Sequence, residues 1–215
     1  MKSDRLIKIF IGAQTTPVLV QETTLRQASD YFGKAIDNAK RLGSGEADIL
    51  RFPNDDVEFW QILLFWLFKR EVGYSVDDYS ADGYGDDCDE PDHTIHMCRA
   101  WIAADMYLMA RLQNKIMSEL LVIYWHYRSS WDTAKMAMLG TAPDSALRRL
   151  YAEEITYLLR TGFINTPDLD ELDGVAGLTR SILDAGHLYD DQADLYYLRS
   201  EIGSELRNEY MVKEA

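Results

Sequence analysis

The sequence predicts an α+β fold, a small three-stranded sheet packed on a helical cluster and followed by an all-helical C-terminal extension. Three observations carry that reading. Short β-branched runs crowd the first fifty residues, one helix near the middle is apolar on every side, and helical spacing of apolar residues dominates the second half. The central stretch is Asp55 to Lys69. Phe59, Ile62, Leu63, Trp66 and Leu67 form one helical face, and Trp60, Leu64, Phe65 and Phe68 fill the opposite side. A helix apolar all round is expected to be buried on all sides. It is too short to cross a bilayer, which needs about 20 apolar residues. Asp55 and Glu58 stand three apart, the spacing of an N-cap residue and its N3 partner.

In chain order, Leu6–Ile11 and Val18–Val20 flank the turn chemistry of Gly12 to Pro17 and predict a hairpin. Thr24 with Gln27 predicts a capping box. The helix behind it carries Leu25, Ala28, Phe32, Ala35, Ile36 and Ala39 on its buried face and stops before Gly43. Residues 47 to 52 read as a strand delivered into Pro53.

From 76 to 93 the character changes. Residues 77 to 92 hold eight acidic side chains, two glycines, one proline and no Lys or Arg. Charge repulsion and glycine both oppose packing there, so the stretch reads as a solvated acidic insertion. Thr94 is expected to cap the next helix, whose face is Met97, Trp101, Ala104 and Leu108. A second helix over about 114–127 presents Ile116, Leu120, Ile123 and Tyr127. The region 129–141 has only scattered apolar anchors. Pro143-Asp144 opens an amphipathic helix with Leu147, Leu150, Tyr151 and Leu158 on its stripe. Two more helices are expected at 178–185 and 192–211.

Composition bounds function. A chain of 215 residues with 47% hydrophobic side chains can fill a real core. Thirty-six acidic against 22 basic residues give a formal charge of −14, and no Lys/Arg stripe interrupts that field. Such a surface repels nucleic acid, so no nucleic-acid partner is expected. Two cysteines, Cys88 and Cys98, do not make a disulfide framework. With neither an apolar leader nor a membrane-length run, the chain reads as cytoplasmic or nuclear, with no membrane association.

Several segments resemble the BTB/POZ family, especially as fungal-type members write it. Ile11-Gly12, Val18-Leu-Val20, Leu25, Ser29, Tyr31 and Phe32 are similar to its opening hairpin and first helix. Phe52-Pro-Asn-Asp-Asp56, Phe59 and Trp66-Leu-Phe68 are similar to its "L-P-x-D…F…W-L-Y" segment. Ala100–Leu108 followed by Leu112-Gln-Asn114 is similar to "Y-V-L-A-D-K-Y…L-Q-N". The resemblance spans about residues 5 to 127, with Val18 where the family usually has Phe and Gln21 where it usually has His. It implies a BTB/POZ-like domain over 1–128, carrying the acidic insertion, and a helical extension over 129–215. It also implies a non-enzymatic protein–protein interaction module, an adaptor or scaffold that self-associates or docks onto a larger complex. The cullin scaffold of a ubiquitin ligase is one such partner. Ile36 to Gly45 lacks the hydrophobic-x-Glu motif that cullin-recruiting members carry.

Interface candidates are Tyr31, Phe65, Trp125, Tyr127 and Trp131, because Trp and Tyr dominate binding hot spots. Trp125, Tyr127 and Trp131 suit equally a partner surface and an internal seam with the extension. An alternative reading is a calcium-responsive module. Asp78, Ser80, Asp82, Asp86 and Asp89 fall at the oxygen-bearing positions of an EF-hand loop with Gly83 at position 6. Asp89 is shorter than the bidentate Glu that geometry uses, and the solvated loop is the preferred reading. Cys88, His93, His96 and Cys98 could supply zinc chemistry, but without finger spacing. No nucleophile–base pair or phosphate-cradling loop is evident, so no cofactor, metal or enzymatic activity is expected.

Overall fold

The structure, a computed structural model, describes residues 4–42, 47–73, 93–186, 208 and 210–214, with the backbone alone at 42, 125 and 126. The first elements are β1 (Leu6–Ile11) and β2 (Val18–Gln21). Two helices follow, α1 (Glu22–Ala28) and α2 (Asp30–Leu42), and then β3 (Ile49–Phe52). Strand order is β2-β1-β3. β1 pairs antiparallel with β2, Leu6 opposite Gln21 and Ile9 opposite Val18, and parallel with β3, Lys8 beside Ile49 and Ile11 beside Phe52. The pleat sends Ile7, Ile9 and Ile11 into the core while Leu6 faces outward. Parallel pairing requires a crossover, and α1 and α2 supply it. Gly12 enters the hairpin turn at φ +54 and donates its N–H to Phe52 O. Glycine adopts that backbone without a Cβ penalty.

The single helix expected from Thr24 onward is two. α1 begins at Glu22, ahead of Thr24, and its N-cap Gln21 makes no side-chain cap bond. The break falls at Ser29, whose backbone is extended at φ −163 and ψ 137. Its hydroxyl accepts the Tyr31 N–H in the first turn of α2 and donates to the Tyr107 carbonyl. One buried serine therefore starts the second helix and ties it to a distant turn.

Glu22 ties α1 to α2 and to Arg5, the residue ahead of β1, at this corner. It accepts from Lys40 at 2.8 Å, from Arg26 at 2.8 Å and from Arg5 at 2.8 Å. The Lys40 bond foremost, then Arg26 and Arg5, hold its carboxyl down to about 2 against the opposing effect of burial. A depressed carboxyl contributes stability that is present above its unfolded value and is lost as pH falls through the folded one. Glu22→Gln is therefore expected to be less stable than the native chain by about 1 kcal/mol near neutral pH. The two should converge as pH falls from 4.5 toward about 2. Urea midpoints measured across that range check it, and parallel curves would contradict it.

The central helix is α3 (Val57–Lys69). Its N-cap is Asp56, whose carboxylate accepts the Glu58 N–H at 2.8 Å, rather than Asp55 as the sequence suggests. Asp55 is engaged elsewhere. Phe59, Trp60, Ile62, Leu63, Trp66 and Leu67 are buried, but Phe65 is 40% exposed and Phe68 is 59% exposed. The helix is thus buried on a broad face and not on all sides.

After the acidic insertion, which lies outside the described residues, come α4 (Thr94–Met106) and α5 (Ala110–His126). Thr94 is the first residue inside α4 and caps nothing, since His93 holds the N-cap position. Met97, Trp101 and Ala104 are buried as the spacing predicts. Leu108 is not, because the helix ends at Met106 and the chain turns through Leu108 at φ +55. The scattered apolar anchors of 129–141 form α6 (Trp131–Leu139), capped by Ser130, whose hydroxyl accepts the Thr133 N–H.

α7 (Ala146–Thr161), capped by Ser145, carries Leu147, Leu150, Tyr151 and Leu158 into the core. A 3-10 helix (Thr166–Leu172), which the sequence did not announce, leads to α8 (Leu178–Gly186). Of the helix expected over 192–211, Met211 has no helical backbone and most of the rest lies outside the described residues. One contiguous apolar core runs from Ile7 to Tyr210, so α6 and α7 pack onto the same interior as the sheet. Among the described residues no helix is long and apolar enough to cross a membrane.

Candidate docking surface

Six aromatic rings form the centre beneath this surface. Tyr107, in the turn after α4, stacks on Phe59 at 5.7 Å and on Phe32 at 5.5 Å between ring centroids, and Tyr31 meets it edge-on at 4.9 Å. Phe52 and Trp60 close the group at 4.8 Å. Such pairs contribute about 0.5–1.5 kcal/mol each beyond burial. Their polar edges meet at Asp55, which accepts from Trp60 Nε1 at 2.6 Å and from the Tyr107 hydroxyl at 2.5 Å. Burial, with the Asp55 bond second, pushes the Tyr107 hydroxyl far above its ordinary value. It therefore stays a donor, and its ring is fixed from both ends.

That fixed ring sets the position of its neighbours. Met106 and Leu108 flank Tyr107 and are 60% and 62% exposed. Leu108 holds a left-handed backbone, which costs a side-chain-bearing residue about 1–2 kcal/mol. Met106 also lines a cleft of about 280 Å³, whose apolar wall is Phe59, Ile102 and Ala103. Asp56 and Arg99 rim it, 3.9 Å apart. His96 Nδ1 lies 2.6 Å from Glu58 Oε2 nearby. An apolar floor with a mixed-charge rim suits the insertion of a protein side chain.

The residues singled out in the sequence fall as follows. Tyr31 borders the aromatic centre and reaches solvent. Phe65 is partly exposed on α3 beside Gly73. Tyr127 ends α5 and Trp131 opens α6, both half-buried against the core where the extension docks, and the Trp125 side chain lies outside the described residues. So do Asp78, Ser80, Asp82, Asp86, Asp89 and Cys88. Cys98 is buried with its Sγ 3.1 Å from the Tyr151 hydroxyl, while His96 turns to Glu58. Among the described residues no three His, Cys, Asp or Glu side chains gather as a metal site. Met106 and Leu108 are the residues the sequence missed. Helical spacing had placed Leu108 on the buried face, and only the chain reversal at Tyr107 exposes it.

No protein family, no curated protein and no solved structure matches the chain.

Proposed function

We propose that the chain is a non-enzymatic docking module, a BTB/POZ-like adaptor or scaffold of the cytoplasm or nucleus, whose partner seats on the turn between α4 and α5. The observation that carries the reading is Leu108. It is exposed, held in a left-handed backbone and set beside exposed Met106 and an apolar cleft. Strained backbone and unshielded apolar side chains both lower stability, and they persist where a binding role retains them. The BTB/POZ resemblance is supported by the element order of two strands, two helices, a strand, a long helix and a helical pair. Self-association and docking onto the scaffold of a ubiquitin ligase are the roles that this resemblance implies.

Leu108→Gly and Met106→Asp test the reading. Leu108→Gly is expected to stabilise the fold by about 1 kcal/mol, since glycine relieves the positive φ. Both variants should cut partner recovery or self-association about tenfold or more, as hot-spot losses do. Affinity purification of the tagged full chain and light scattering after size exclusion provide the readouts. Unchanged recovery and unchanged mass with both variants would refute it.

A further inference from the structure

The last described residues run from Tyr210, which has 3-10 backbone, through the irregular stretch Met211 to Glu214, lie against α5 and α7 and are gripped at three points. The Asn114 side-chain amide brackets the main chain of Val212, donating from Nδ2 to Val212 O at 3.0 Å and accepting Val212 N–H at Oδ1 at 2.7 Å. One side chain thereby imitates the edge of a neighbouring strand. Two residues earlier, Tyr210 is only 5% exposed and its hydroxyl donates to the buried Glu153 carboxylate. The Arg149 guanidinium lies 4.7 Å over the Tyr210 ring and 3.7 Å from Glu153. Two residues later, Glu214 receives Arg111 Nε at 3.1 Å and Asn114 Nδ2 at 3.3 Å.

A pocket for an aromatic hydroxyl, a main-chain clamp and a cation for an acid are the elements of short-peptide recognition. The tail does not fill the space available. Met211 and Val212 form one wall of a cleft of about 420 Å³ that continues to Trp101, Ile102, Gly140 and Asp144. The outer Arg111–Glu214 pair is well exposed, and exposed pairs hold weakly.

We infer that this groove is a recognition site for a partner peptide of the pattern Tyr-x-aliphatic-x-Glu, occupied in cis by the chain's own residues 210–214. A partner segment of that chemistry binds by displacing the tail, so the tail sets the threshold for binding. A tethered competitor acts at an effective concentration of about millimolar, which is why the native chain should bind a free peptide weakly.

The probe is a fluorescein-labelled acetyl-Tyr-Met-Val-Lys-Glu-amide peptide, read by anisotropy against the full-length chain. Val212→Pro removes the N–H that Asn114 accepts and frees the tail. That variant is expected to bind the peptide at least about tenfold more tightly than the native chain. Adding Asn114→Ala to it should abolish the gain, and replacing the peptide's Tyr by Phe or its Glu by Ala should weaken binding. A cooperatively melting Val212→Pro chain that binds no better than the native one would overturn the inference. A second measurement on the native, isotope-labelled chain does not depend on that variant folding. Unlabelled peptide at roughly tenfold above that millimolar effective concentration should strip hydrogen-exchange protection from the Val212 amide, and protection retained there would equally overturn it.

Discussion

Arg148→Ala is expected to destabilise the fold by roughly 3 kcal/mol or more, since hydrogen bonds to a charged group contribute about 1.5–3 kcal/mol each. Arg148 sits in the first turn of α7, buried, and three of its nitrogens are committed. Nε donates to the Ser181 hydroxyl at 2.9 Å, one terminal nitrogen donates to Met138 O at 2.8 Å, and the other donates to Ala176 O. Those acceptors belong to the end of α6, to the turn before α8 and to α8 itself. Removing the guanidinium leaves two carbonyls and a hydroxyl without their donor, and the bond to Met138 O is buried. The measurement is the urea midpoint at unchanged slope, which isolates stability from a change in compactness. Arg148→Lys should recover only part of the loss, because an ammonium lacks the planar fork that reaches three acceptors in fixed directions. A loss below about 1 kcal/mol would mean that water replaces the guanidinium freely.

Trp60→Ala is expected to cost about 3–5 kcal/mol, the range for emptying a fully buried aromatic site. Trp60 is completely buried, touches Phe32 and Phe52, and supplies one of the two donors that Asp55 accepts. Two causes can be separated by a cycle. Trp60→Phe keeps most of the volume and deletes the Nε1 donor, and Asp55→Ala deletes the acceptor. If the hydrogen bond carries part of the effect, the double variant should lose about 1–3 kcal/mol less than the sum of the singles. Strict additivity would assign the whole loss to packing. The same replacements should also loosen Tyr107, so the docking of any partner at Met106 and Leu108 ought to weaken with Asp55→Ala even where the chain remains folded.

What could be read directly from the sequence was what local periodicity determines. The β-branched run Leu6–Ile11 marked the first strand of a hairpin, and the stripe Leu147, Leu150, Tyr151 and Leu158 marked α7. Two of the departures involve a partner far along the chain. The helix break at Ser29 depends on the Tyr107 carbonyl 78 residues later. Which of two adjacent acids caps α3 depends on Trp60 and on Tyr107, which claim Asp55 and leave the cap to Asp56. Phe65 and Phe68 are apolar yet exposed, because apolar composition shows what a helix could bury and not what is available to cover it. The exposure of Leu108 was not legible, because the residue keeps helical spacing beyond the point where the helix ends. The tail shows the same limit, since Met211 extends an apolar period while Val212 answers to an amide 98 residues upstream.

The strand order carries a consequence for biosynthesis. β1 takes β2 on one edge and β3 on the other, yet β3 is made only after both crossover helices. An isolated two-stranded ribbon is marginal in water. As the nascent chain leaves the ribosome from its N-terminus, the first ribbon must therefore wait, incompletely covered, for its third member. The tie from Ser29 to Tyr107 delays final closure further, so maturation of this half is expected to be late, slow and dependent on chain length.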